Sequence, residues 1–298
     1  MSTINQEKEF SIEKQFLAAD LEDSLIIQEQ TKLVYGMGIT AGAHRLWAHR
    51  VNLKRKFNLI SLFFFLLKKS YKARFPLRTL LMVLNCIAFQ NDIIEWARDH
   101  RCHHKWSDTN ADPHNVNRGL FFAHMGWLLV KKHPQVKAKG AGLDLSDLFD
   151  DPVLRFQRKY YLLLVFIFCF LMPTVIPVYF WGEKPLTAFL TGAAFRYCFA
   201  LHATWLINSV AHKFGYRPYD VNISPAESVW TTILAVGEGG HNYHHTFPQD
   251  YRTSEMMTPF NLTKAYERKV TPISNIYRQM GRQLGQLHKR VMDSHKSF

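Results

Sequence analysis

The sequence predicts an all-α integral membrane protein, with transmembrane helices and a cytosolic helical domain that holds a histidine-rich metal site. Three observations lead there. Tyr160 to Phe180 runs for 21 residues without a charge, nine of the 15 histidines fall into four tight groups, and two of those groups share the spacing H-x-x-H-H. As a helix, the uncharged run covers about 30 Å, the thickness of a bilayer's hydrocarbon core. Histidines at i, i+3 and i+4 of a helix share one face, so each triplet aims three imidazoles into one small volume.

Composition narrows the partners. The mean hydropathy of -0.15 hides apolar runs that are segregated from charged ones. An excess of 37 Lys and Arg over 24 Asp and Glu suits anionic lipid or an acidic ligand. No helix-turn-helix, zinc-finger or RNA-binding signature is present, so no nucleic-acid partner is expected. The four cysteines are scattered without a CxxC pair, which argues against a disulfide framework.

Residues 1–32 read as a polar, partly helical lead-in without a secretory signal. Leu33 to Arg50 is a small-residue apolar stretch, too short to cross a bilayer unaided, that ends in His44 and His49. Val51 to Lys69 differs in composition from its surroundings, and its apolar centre is about half the spanning length. Leu77 to Ile94 reads as a helix on the membrane surface leading into the central stretch, Glu95 to His114. That stretch holds His100, His103 and His104, with Arg98, Asp99 and Arg101 beside them to position ligands or hold a charged substrate. Asp112-Pro113 ends it. Gly119 to Val130 is a short apolar run before Lys131 and Lys132, and Lys137 to Asp151 is a polar connector.

Tyr160 to Phe180 is the clearest span, with Pro173 and Pro177 placed to kink it. Trp181 to Pro185 reads as a turn, and Leu186 to Ala211 as the return arm of a hairpin. Arg155, Arg158 and Lys159 precede the hairpin and Lys213 and Arg217 follow it, whereas the turn holds one Lys and one Glu. Positive-inside logic puts every histidine group on the cytosolic side. His212 follows the hairpin, and Gly237 to Gly240, read as a flexible lead, precedes His241, His244 and His245.

Nine imidazoles exceed the coordination of one ion, so two metals are implied. Without ligating cysteines, ligand softness leaves zinc, iron and copper open. A site lying against membrane helices suits an apolar substrate and oxidative chemistry.

The segments HRLWAH, RDHRCHHKWSDTNADPH, NSVAHKFGYRPYD and GEGGHNYHHTFPQDYR resemble the signature boxes of the membrane fatty acyl-CoA desaturases, the stearoyl-CoA delta-9 type. The resemblance spans Gly36 to Arg50 and Ser70 to about Glu255. It implies a di-iron enzyme of the endoplasmic reticulum membrane that uses O2, with electrons from NADH through cytochrome b5 and its reductase, to insert a cis double bond into a saturated fatty acyl-CoA. The implied iron ligands are His44, His49, His100, His103, His104, His212, His241, His244 and His245, with Asn208 reaching one iron through water. Asn91, Arg98, Asp99, Lys131 and Lys132 match positions that hold the CoA and the acyl entrance, and Trp205 matches one beside the acyl tunnel. Where the family usually has Arg-Lys, this chain has Lys131-Lys132, which keeps the charge and loses a bidentate phosphate contact.

Three departures stand out. The family carries a transmembrane hairpin before HRLWAH, of which only the last turns, about Leu33 to Ala43, are expected here. Residues 256–298 replace the family's cytosolic tail. Val51 to Lys69 interrupts the family's run from HR to SYKARFPLR; Val-Asn can be encoded by GTAAAY and a terminal Lys by AAG. Our hypothesis for this segment is a retained intron whose length preserved frame. Sequencing the genomic locus and the mRNA across it tests this, and an insert without GT and AG ends would contradict it.

Overall fold

Glycine lets the first histidine segment lie directly on the helix that follows it. A side chain at Gly38 would run into the backbone of Leu84 and Asn85, so the two elements touch main chain to main chain. The computed structural model describes residues 36–49, 75–235 and 237–250. The expectations for 1–32, for 51–69 and for 256–298 lie outside the described residues. Those described form helices and the loops between them, with isolated bridges and no strand; the shorter helices include α3 (Leu120–His124), α4 (Pro134–Ala141) and α8 (Val229–Leu234).

The π-helical segment Gly38–Ala48 packs on helix α1 (Phe75–Ala88), and helix α2 (Ile93–Lys105) packs beside both. Ala43, Trp47 and Ala48 meet Leu81, Met82 and Cys86 of α1 and Ile93, Ile94 and Ala97 of α2 in one apolar core. The expected single surface helix over Leu77 to Ile94 is instead two helices bent by 80°. Phe89 and Asn91 adopt positive φ at the corner, which halts α1. Asp92 restarts the chain by accepting the N–H groups of Ile94 and Glu95 as an N-cap. Gln157, on helix α5 (Pro152–Lys159), braces the corner from behind. Its amide accepts from Ile93 N at 3.0 Å and donates to Asn85 Oδ1 at 2.7 Å, with Gln157 and Asn85 both fully buried. Helix α2 also ends early, at Lys105, seven residues before Asp112.

Tyr161–Trp181 forms helix α6 and is, among the described residues, the one continuous helix long and apolar enough to cross a membrane. Its wide π turn, Phe166–Leu171, sits directly ahead of Pro173. A proline ring clashes with the carbonyl four residues back, here that of Cys169, and frees it from the helical ladder. The return arm starts at Pro185, runs through a second π-helical stretch, Phe189–Phe195, into helix α7 (Arg196–Lys213), and packs against α6.

Among the described residues that arm is less apolar than α6, which alone as a continuous helix is by length and composition a candidate to cross a membrane. It carries Arg196, whose guanidinium is buried and donates to Cys169 O at 2.8 Å, Ile87 O at 3.0 Å and Gly192 O at 2.8 Å. The first is the carbonyl freed by Pro173, and the second lies at the unpaired C-terminal end of α1. One side chain ties three helices together.

Candidate metal centre

His44 and His49 are five residues apart. On an α-helix that spacing places two side chains about 140° apart. The π-helical turn corrects the mismatch: His49 N donates to His44 O at 3.0 Å, an i to i+5 bond that brings both rings to one face. Helix α2 supplies His100, His103 and His104, α7 supplies His212, and the short helix α9 (His241–Thr246) supplies His241, His244 and His245.

These nine rings form two groups. Ligand nitrogens of His44, His49, His100, His104 and His244 all lie within 4.8 Å of one another, and so do those of His103, His212, His241 and His245. The groups adjoin where His104 stacks on His245, ring centroids 4.1 Å apart. Within them the Nε2 atoms face each other: His44 to His244, His244 to His104 and His49 to His100 at 2.9 Å, and His212 to His241 at 2.9 Å. So many converging lone pairs repel unless a cation or shared protons lie between them. Nε2 of His103 is buried without a hydrogen-bond partner. A buried nitrogen left open is costly in a purely structural role and is what a metal ligand requires. The residues present therefore fit two metal ions.

Protonation points the same way. Burial, with the charges of neighbouring imidazoles, lowers His44, His100, His104, His241, His244 and His245 well below the usual histidine value. Burial also lowers His49 to about 3, helped by Arg45 and Arg101. Neutral imidazole is the ligating form. His103 differs: burial disfavours its charge, but Asp112 outweighs burial and raises it.

Contacts between separate segments assemble the groups. Arg45 donates to Glu238 Oε1 at 2.7 Å, both buried, joining the first histidine segment to the loop before α9. Arg101 donates to the carbonyls of Trp47 and Ala48 at 2.7 and 3.0 Å and grips Asp147 through two nitrogens, fixing the chain that leads into His49. Gly239, expected to be flexible, is tightly packed: a side chain there would strike Thr232 and the carbonyl of Ser228. Glu227 is buried and accepts Tyr243 N at 2.9 Å, capping α9 from another element. Burial pushes its carboxyl up to about 7.

Of the other expected site residues, Arg98, Asp99 and Lys132 are brought together. Lys132 Nζ lies 2.6 Å from Asp99 and 2.8 Å from Glu95, and Arg98 pairs with both acids at 3.0 and 2.8 Å. Lys131 is exposed, and Asn91 sits exposed at the α1–α2 corner. Trp205 is buried on α7, and Asn208 lies one helical turn before His212. Sequence reasoning missed Asp108, Asp112, Glu238 and Glu95, and gave no role to His114, which is buried against Trp127. Their partners are mostly far along the chain, so no spacing marks them.

An all-helical frame around two groups of buried and half-buried imidazoles is the arrangement of a histidine-ligated metal centre. Comparison with known proteins gives the family. The model of the family "Fatty acid desaturase" matches residues 33–274. The chain is 61% identical over 242 residues to Delta(9)-fatty-acid desaturase fat-6 of Caenorhabditis elegans, covering 81% of this chain and 66% of that one. It is 54% identical to the stearoyl-CoA desaturase of Homo sapiens (77% and 59%) and 49% identical to an acyl-CoA Delta12-desaturase of Acheta domesticus (83% and 67%). The chain belongs to the fatty acid desaturase family of oxidoreductases, and it spans about two thirds or less of the length of these three relatives.

Proposed function

We propose that the protein is an acyl-CoA desaturase of the endoplasmic reticulum membrane that inserts a cis double bond, at the delta-9 position, into a saturated fatty acyl-CoA. The observation that carries this reading is the convergence of nine imidazoles into adjoining groups of five and four. Asn208 is assigned to the four-imidazole group through water. Two irons bound there would supply, with O2 and two electrons delivered by cytochrome b5 and its NADH-dependent reductase, the oxidising power to remove two hydrogens from an unactivated chain.

The chain's own residues do the rest. Trp205, Asn208 and His212 follow one another at helical spacing along α7, so a fatty chain passing Trp205 is about 10 Å along the helix axis from His212. Lys132 and Arg98 are held in place by Asp99 and Glu95, which balance their charge, and offer oriented N–H donors to the CoA phosphates, with Lys131 exposed beside them and Asn91 at the corner. Apolar α6, with the return arm packed on it, seats the protein in the bilayer with the histidines on the cytosolic side.

Expression in desaturase-deficient cells, with mass spectrometry of the acyl chains, tests the reading. A monounsaturated product with its double bond at carbon 9 is expected. A hydroxylated chain would instead assign a related di-iron hydroxylase. No new product from membrane-inserted protein carrying two irons would mark a non-catalytic isoform.

A further inference from the structure

The two histidine groups differ in what stands behind the rings. In the four-imidazole group, His103 Nδ1 lies 2.9 and 3.0 Å from the two oxygens of Asp112, and His212 Nδ1 lies 2.9 Å from Asp108. Neither carboxylate is free to swing away. Asp112 accepts the backbone N–H of Asp108 and of His114, each at 2.8 Å, and Asp108 accepts Val116 N at 3.1 Å and the Ser224 hydroxyl. Neither makes an ion pair with a lysine or arginine among the described residues. Behind the five-imidazole group, the carboxylate of Glu238 is 3.7 Å from His44 Nδ1, beyond hydrogen-bond reach, and Arg45 offsets its charge at 2.7 Å. His244 Nδ1 has no hydrogen-bond partner.

We infer that Asp108 and Asp112 are positioning residues that make the four-imidazole position the more electron-rich of the two, so that paired irons there are held and reduced unequally. This rests on the di-iron reading of the site. A carboxylate on the outer N–H of an imidazole fixes the tautomer and raises the donor strength of the inner nitrogen. Two uncompensated negative charges close by also favour the more highly charged ion. The fifth imidazole of the other group adds a donor but no charge. The four-imidazole iron therefore keeps its higher oxidation state longer as electrons are added.

The test uses the full chain in detergent, loaded with isotopically enriched iron. Wild-type protein is titrated with reductant and followed by Mössbauer spectroscopy, which needs no variant to fold. Two iron signals reduced one after the other are expected. Asp112→Asn and Asp108→Asn keep the side-chain shape without its charge. Each should weaken retention of one iron by about 10- to 100-fold, bring the two reduction steps together, and leave the second signal in place. Asp112→Glu, which restores the charge, should separate the steps again. Two irons reduced together in wild type, or an aspartate variant that alters both signals alike, would overturn the inference while leaving the di-iron reading intact. Wild-type protein without two irons would defeat both.

Discussion

The centre of the molecule and its α6–α7 hairpin are built in opposite senses. Around the histidines the interior is polar: His44, Arg45, Asp99, His103, Asp112, His212, Glu238, His241 and His244 are all buried. On α6 the surface is apolar: Met172–Trp181 buries no residue, and Tyr179, Phe180 and Trp181 are 80%, 70% and 72% exposed. In water either arrangement is unfavourable, since exposed aromatics lose the hydrophobic term and buried charges lose hydration. On the proposed reading, each region is completed by something outside the chain, lipid for the hairpin and metal for the centre. Arg196 is the exception within the hairpin, and it is tolerated because it donates to three carbonyls, two of which, Cys169 and Ile87, lack helical partners.

That contrast can be broken from either side. The largest effect is expected at the centre. His103→Ala or His244→Ala should abolish desaturation and lose iron, as mass spectrometry of acyl chains and elemental analysis will report. Next comes Arg45→Ala, which breaks the buried 2.7 Å pair with Glu238; a loss of about 3–5 kcal/mol in unfolding stability is expected in detergent melts. In the hairpin, Leu171 lies midway along α6 and is 42% exposed, so Leu171→Arg should disfavour membrane insertion by about 2.5–3.5 kcal/mol, read as a fall in the membrane-integrated fraction. The same change at exposed Lys137 should have no such effect.

The smallest effect concerns pH. The Glu227 carboxyl sits near 7 in the folded chain, above its ordinary 4.5, because burial penalises its charge. The folded state then binds more protons than the unfolded state between those values. Stability from this group is full below about 4.5 and is lost as pH rises through about 7. Glu227→Gln keeps an acceptor for Tyr243 N without the ionisation, so the variant's melting curve should depend less on pH across that window than the wild type's.

Much of the centre was legible because its signal is local. Two H-x-x-H-H triplets mark the centre, but each is divided in the structure: His100 and His104 join the five-imidazole group and His103 the other, while His241 and His245 join the four-imidazole group and His244 the other, so only the i, i+4 pairs stay together. The pair His44 and His49 shows no such spacing, because an interval of five fits no α-helical face and only the π turn reconciles it; the shared predicted side of the membrane, not periodicity, placed it with the others. The corner at Phe89–Asp92 appeared only as polar breaks, because a positive φ at a phenylalanine leaves no mark in composition. Asp112 read as a helix stop beside Pro113, yet the helix ends at Lys105 and the carboxylate serves His103 instead. Asp108 and Glu238 act across 104 and 193 residues on His212 and Arg45, a separation no motif encodes. Leu186 to Ala211 reads as a second span because Arg196 is outnumbered by apolar neighbours, and its partners emerge only once α1 and α6 are packed.

The account stands most directly on the metal content of the full-length chain, purified from membranes of iron-supplied cells and measured by elemental analysis beside His44→Ala and His241→Ala variants. It predicts two irons per chain in the wild type and about one in each variant, because the two histidines belong to different groups. Fewer than one iron in the wild type, or variants that bind as much as the wild type, would contradict it.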